Sequence, residues 1–247
     1  MKRKPLISIG EAAKLMHISI DTLRRWDNEK RFPAIRQSGK RFYRATDIEK
    51  YLAKMTIAEA DIFEAAKNWA MSNSPAEPDS LFYCKDSAIF QYRLNKLENS
   101  LGEIGELKNM FPLITSIAGE IGNNSFDHNL GNWPDIPGIF FGYDLDRREV
   151  VLADRGQGIL TTLKRVRDRL SSDEEALRVA FTEILSGRPK EARGNGLKFV
   201  KYVVVENDIK LLFQTGKARL ELEKGDQFLN ISKTDNYIRG CMALIKF

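Results

Sequence analysis

Two short apolar stripes open the chain. Ile9, Ala12, Ala13, Leu15 and Met16 recur at helical spacing, residues 17–19 interrupt them, and Leu23 and Trp26 resume the pattern. Ser19 or Asp21 can cap the second of these helices. After Pro33, "SGK" between short β-prone pieces predicts a hairpin turn, and Thr46 is placed to cap a third helix through Ile48, Tyr51 and Leu52. Together these are a helix-turn-helix and a wing. Ile62, Ala66, Trp69 and Ala70 mark a further helix, and "SNSPAEPDS" at 72–80 has the proline and serine content of a linker. The expected organisation is a small module at 1–55, a helical connector and linker at 56–80, and a larger domain at 81–247.

The larger domain alternates helix and strand patterns. Residues 85–99 and 103 to about 129 read as helices, and "GIFFGYDLDRREVVLAD" as a hairpin turning at "DLDRRE". Residues 160–186 read as helical, "IKLLFQTGKARLELEKGD" as a second hairpin turning at "TGK", and "CMALIKF" as a final strand. The run "LKFVKYVVVEN" is ambiguous, because Val203, Val204 and Val205 favour a strand while Leu197, Val200, Val203 and Val204 fit a helical stripe.

Charge sharpens the division. Residues 1–55 hold 14 Lys and Arg against 6 Asp and Glu, whereas the whole chain has a net charge of only +5. The basic charge therefore belongs to the N-terminal quarter, as expected of a polyanion-binding module joined to a near-neutral domain. No apolar run approaches the length of a membrane helix and the first residues lack a signal-peptide core, so no membrane association and a cytoplasmic location are expected. Cys84 and Cys241 stand far apart without a metal-binding spacing and read as plain buried thiols.

The segment "ISIGEAAKLMHISIDTLRRWDNEKRFPAIRQSGKRFYRATDIEKYL" resembles the MerR and excisionase-type winged helix-turn-helix. The resemblance implies double-stranded DNA as a partner, with "TLRRW" (Thr22 to Trp26) entering the major groove and the wing reaching nearby backbone. Arg24 and Arg25 would then offer donors to guanine or to phosphates, and Trp26 would pack on sugar-phosphate or fill the core. Arg36, Lys40, Arg41 and Arg44 on the wing would supply phosphate affinity, and Tyr43 a phosphate hydrogen bond. The alternative is a solvated basic face on a small helical bundle.

Further along, "EIGNNSFDHN" at 120–129 puts Glu120, Asn124, Asp127 and His128 on roughly one helical face. "DRGQGI" follows the strand "EVVLA", and "GRPKEARGNGLKFVK" runs through glycines into an apolar stretch. Glycines before a helix leave backbone N–H groups free to cradle phosphate. Each feature alone is an ordinary turn, but their order, E-x-x-x-N, then D-x-G-x-G, then G-x-G-L, resembles the N, G1 and G2 boxes of the GHKL ATPase superfamily. That resemblance covers roughly 100–247 and implies an α+β chain whose C-terminal part is a Bergerat-type α/β sandwich, a mixed sheet covered by helices on one face. It makes "GLKFVKYVVVEN" a helix. It implies ATP and Mg²⁺ as cofactors, with Asn124 on the metal and Glu120 orienting or deprotonating the attacking water, or else present in a protein that binds without turnover. Asp154 would accept from the adenine amino group, Gly156 and Gly158 would admit the base, and Gly194, Asn195, Gly196 and Leu197 would present N–H groups to phosphates. Lys190 and Arg193 would either add charge near the γ-phosphate or lie in a solvated loop. His128 stands where anti-sigma kinases often carry a histidine, or caps the helix end.

The chain departs from several members of that superfamily. His17 and His128 are its only histidines, which argues against self-phosphorylation on a dimerisation helix, and no transducer domain is expected after Phe247. The expectation is a regulator, acting as a homodimer, whose sequence-specific DNA binding or partner interaction is gated by Mg-ATP. The alternative is an anti-sigma-like serine/threonine kinase acting on a small partner protein, with the DNA module used for autoregulation.

Overall fold

The computed structural model describes residues 6–16, 18–49, 51, 61–183 and 195–247. The chain forms two compact units, Met1–Asp61 and Ile62–Phe247. In the smaller, β1 (Leu6–Ser8) leads into α1 (Ile9–Leu15), whose first turn is closed by reciprocal Ser8 and Glu11 hydrogen bonds. Ser19 caps α2 (Ile20–Asn28) by accepting from the Thr22 N–H at 3.0 Å. The wing is β2 (Ile35–Gln37) paired with β3 (Lys40–Arg44), turning through Ser38 and Gly39, both at positive φ. A third helix, α3 (45–49), starts one residue before the Thr46 expected to cap it. Ala12, Ala13, Met16, Leu23, Trp26, Tyr43 and Ile48 form the core of this unit, and β1 adds a third strand in the order β1-β3-β2.

The larger unit starts with α4 (Ile62–Met71). It continues through β4 (Tyr83–Cys84), α5 (Ser87–Gly102), a 3-10 turn at Gly105–Leu107 and α6 (Phe111–Asn129). The hairpin β5 (Ile139–Asp144) and β6 (Glu149–Asp154) follows as expected. Then come α7 (Gly158–Lys164), α8 (Asp173–Thr182), α9 (Gly196–Glu206), β7 (Lys210–Leu222) and β8 (Asn230–Lys246). The sheet order is β4-β5-β6-β8-β7.

Every pairing among the described residues is antiparallel, so the sheet is not the mixed one expected. Nor are helices confined to one face. Side chains alternate across a strand, and Phe141, Leu152, Ala243 and Phe213, aligned in register, join the core formed with α5, α6, α8 and α9. The opposite face carries Phe140, whose ring lies 6.5 Å from that of Trp69 on α4. The stripe Ile62, Ala66, Trp69 and Ala70 is buried, which makes α4 part of the larger unit and not a connector. Residues 72–80 also pack onto this unit: the Trp69 indole donates to Ala76 O at 2.9 Å.

Two further expectations fail locally. The helix expected over 160–186 divides into α7 and α8, because Ser172 caps a new helix with Asp173, Glu174 and Glu175 in its first turn. The "TGK" hairpin is instead a bulge within one long strand: Gly216 takes φ +55°, and the Lys217 N–H donates to Asp173 Oδ2 at 2.9 Å. "GLKFVKYVVVEN" is helical, with Val200, Val203 and Val204 buried. Among the described residues no helix is long and apolar enough to cross a membrane.

Candidate functional site

The smaller unit presents α2 beside the wing. Arg24 and Arg25 are exposed and lie 2.9 Å from Asp21 and 3.9 Å from Glu29, contacts weak enough for competing phosphates to replace. Thr22 is half-buried, its hydroxyl 2.8 Å from that of Ser19. Lys40 and Arg44 are exposed on the wing. Trp26 is 7% exposed and fills the core, with Arg31 over its ring at 4.6 Å. Tyr43, expected to reach phosphate, is 1% exposed and its hydroxyl donates to Leu23 O at 3.3 Å. It occupies an inward position of β3, stacked on Phe32, and holds the wing to α2.

Asp27 was missed. Its carboxylate accepts from the Ala34 N–H at 2.9 Å, from Arg41 Nε at 2.6 Å and from Arg36 at 3.1 Å. The Ala34 N–H first, and then Arg41, hold this carboxyl below its ordinary range. Arg41 is therefore engaged inside the unit, whereas the more exposed Arg36 remains able to exchange Asp27 for phosphate. These pairs span nine and fourteen residues, beyond any local pattern.

In the larger unit two separated segments, at Asp154–Gly158 and at Gly196, come to the motif carried by α6. Asp154, at the end of β6, is 2% exposed and accepts from the Ser125 hydroxyl at 2.8 Å and from the Gly156 N–H at 2.8 Å. Burial raises its pKa to about 6, against the pull of Ser125 and the amides of Gly156 and Cys241. A carboxylate has about four acceptor sites, so one remains for a further donor. Gly156 lies against the Asn129 carboxamide, which a Cβ would overlap, and the Gln157 N–H donates to Asn129 Oδ1 at 2.8 Å. Gly158 has φ +75° and starts α7 beside Thr215, whose hydroxyl accepts from the Ile159 N–H at 3.2 Å.

At the other end of the constellation, a Cβ on Gly196 would overlap the Glu120 carboxylate and stand 3.3 Å from Asn124 Nδ2. Asn195 is the N-cap residue of α9 and makes no side-chain cap bond. Leu197 is half-buried against the core. An open groove of about 400 Å³ reaches Glu120 between α5, α6 and α9, lined in part by Glu98, Thr115, Ser116 and Phe199. Lys190, Arg193 and Gly194 lie outside the described residues.

The polar face of α6 extends beyond the four residues that its spacing picks out. Glu120 and Asn124 do point to α9, but the side of α6 that meets the Asp154 loop carries Ser125 and Asn129, both buried. Asn123 points away and accepts from Gln91 at 2.8 Å. Ser125 and Asn129 form an i, i+4 pair, and that polar spacing within an apolar helix was a readable signal.

This donor set suits a magnesium-bound nucleotide. Glu120 and Asn124 meet the first residue of α9, Asp154 is buried against Ser125 of the same helix α6, and an ion carried on a triphosphate takes most of its ligands from phosphate and water. Among the described residues no three His, Cys, Asp or Glu side chains cluster to hold a metal by themselves.

A search of curated proteins finds no match to the chain. Residues 8–43, from the Ser8 cap to Tyr43 of the wing, match the MerR family regulatory protein model. The N-terminal helix-turn-helix is thus similar to that of MerR regulatory proteins, with its two exposed arginines on the second helix, and the likeness suggests a DNA-binding regulator.

Proposed function

We propose that this DNA-binding regulator carries an ATP site in its larger unit and that Mg-ATP, bound or slowly hydrolysed, gates its hold on DNA. The observation that carries the reading is the meeting of Glu120 and Asn124 with the first residue of α9, whose N-cap residue Asn195 makes no side-chain cap bond, on the helix that also bonds Asp154. Asn124 would hold the metal, the first-turn N–H groups of α9 the phosphates, and Asp154 the adenine amino group. A helix N-terminus favours anions through its free N–H groups and dipole. Mg²⁺ supplies charge neutralisation on the phosphates. Glu120, reached by the groove from solvent, is positioned to orient a water.

Gating requires that nucleotide bind two states of the chain unequally. A homodimer that changes the presentation of two helix-turn-helix units would satisfy this. The test is Mg-ATP binding and turnover by wild type beside Asp154→Asn, Asn124→Ala and Glu120→Ala, followed by occupancy of duplex DNA selected by the protein from a random pool, with and without Mg-ATP. Binding is expected to fail in the first two and persist in the third with turnover lost. Equal DNA occupancy in both conditions would remove the gating.

A further inference from the structure

The end of β6 faces two ways. Asp154 is the last residue of β6 and Arg155 the next, and their side chains engage elements on opposite faces of the sheet. Asp154 turns to α6 and Ser125. Arg155 turns to α4, where one terminal nitrogen donates to Trp69 O at 2.6 Å and Ala70 O at 3.0 Å, and the other to Ser72 O at 2.9 Å. The same guanidinium grips Asp135, with the shortest contact at 2.7 Å.

A guanidinium has five N–H donors in a fixed plane, and here Nε and both terminal nitrogens are all engaged while the side chain is 2% exposed. Its acceptors at Trp69 and Ala70 belong to the last turn of α4, whose carbonyls have no partner within the helix and carry the negative end of its dipole. Arg155 is therefore a rigid brace from the Asp154 loop to the end of α4. That helix is also the first element of the larger unit, continuous in the chain with the DNA-binding unit that ends at Asp61.

We infer that Arg155 is the positioning residue through which occupancy of the Asp154–Gly158 loop is passed to α4, and so along the chain toward the DNA-binding unit. The inference rests on the nucleotide reading above and specifies its regulation. A ligand donor on Asp154 shifts the strand end, and the next residue cannot follow without moving the four groups that its guanidinium bonds, three carbonyls and the Asp135 carboxylate. A purely structural brace would lower stability without altering how the protein responds to nucleotide.

The experiment uses the full chain and three variants, Arg155→Gln, Arg155→Lys and Asp135→Asn. Mg-ATP affinity is measured by calorimetry, amide exchange of 62–71 by mass spectrometry, and affinity for the selected duplex with and without Mg-ATP. In wild type, Mg-ATP is expected to change exchange in α4 and to change DNA affinity by about fivefold or more. Arg155→Gln is expected to keep nucleotide affinity near wild type while the DNA affinity ratio falls to about one. Arg155→Lys, which keeps the charge and loses the planar fork, should fall between them. If Arg155→Gln does not fold, Asp135→Asn, which leaves the bonds to α4 in place, must show a weakened ratio. A wild-type ratio in every folded variant would overturn the inference while leaving the ATP site intact. Wild type that binds no Mg-ATP would overturn the nucleotide reading, and this inference with it.

Discussion

Arg41 Nε lies 2.6 Å from Asp27 Oδ2, and Asp27 is also bonded to Arg36 and to the Ala34 N–H. One carboxylate on α2 thus fixes the entry to the wing and two of its cations. Simple charge counting says that removing it should strengthen binding to a polyanion. The geometry says otherwise for specific DNA. Asp27→Asn is expected to weaken binding to the selected duplex by roughly tenfold, about 1.4 kcal/mol, while raising affinity for random duplex. A filter or anisotropy titration on both duplexes checks this, and strengthened binding to both would refute it.

Tyr43→Phe removes one hydroxyl that donates to Leu23 O inside the core. The expected result is a loss of about 1 kcal/mol or less in stability with DNA affinity unchanged. Denaturant melts and the same titration separate the two effects. A large loss of DNA affinity would restore a phosphate contact to this residue.

Burial lifts the pKa of Asp154 to about 6, above the unfolded value. With a raised folded pKa, its contribution to stability is fully present below the unfolded pKa and is lost as pH rises through about 6. Asp154→Asn removes this titration. Stability of the variant relative to wild type should therefore rise between pH 4 and pH 7, by on the order of 3 kcal/mol at most. Chemical denaturation of both proteins across that range measures the difference, and a flat difference would show Asp154 ionising as it does in water.

At Gly196 an added Cβ meets the movable end of the Glu120 side chain. Gly196→Ala is accordingly expected to cost less than about 1 kcal/mol in stability and yet to abolish Mg-ATP binding, because the methyl group fills the space between Glu120, Asn124 and the start of α9 that the phosphates and their metal would occupy. Calorimetric titration beside a thermal melt reads both, and intact binding would place the nucleotide elsewhere.

Gly122 is the opposite case. A Cβ there would overlap the Phe90 ring, which is buried between Phe126 and Phe141 at 6.1 and 5.2 Å and has no room to retreat. Gly122→Ala should destabilise the larger unit by about 1–3 kcal/mol, measured by urea unfolding. An unchanged midpoint would mean that α5 and α6 can part freely.

Much of this molecule could be read from local pattern. The helix-turn-helix and wing follow from apolar spacing, caps and a two-residue turn. The β5–β6 hairpin follows from alternation, and α9 was recovered only because the motif order outweighed the β-preference of three valines. What escaped the sequence depends on partners far away in the chain. Gly216 makes a bulge and not a turn because Asp173 meets the Lys217 amide. Residues 72–80 have linker composition, but Arg155 and the Trp69 indole bind their carbonyls. Glu120, Asn124, Asp154 and Gly196 were all named as site residues. Ser125, Asn129, Asp27 and Arg155, which hold such residues in place, were not.

The opposed side chains at the end of β6 also guard how that strand is threaded. A slip of one residue against β5 and β8 would turn Asp154 toward the carbonyl end of α4 and bury Arg155 beside Ser125 of α6. Each charge would then face a surface that repels or cannot pair it. The apolar residues Val150 to Ala153 tolerate either face, so it is this terminal pair of opposite charges that makes the misthreaded sheet expensive and the native alignment unique.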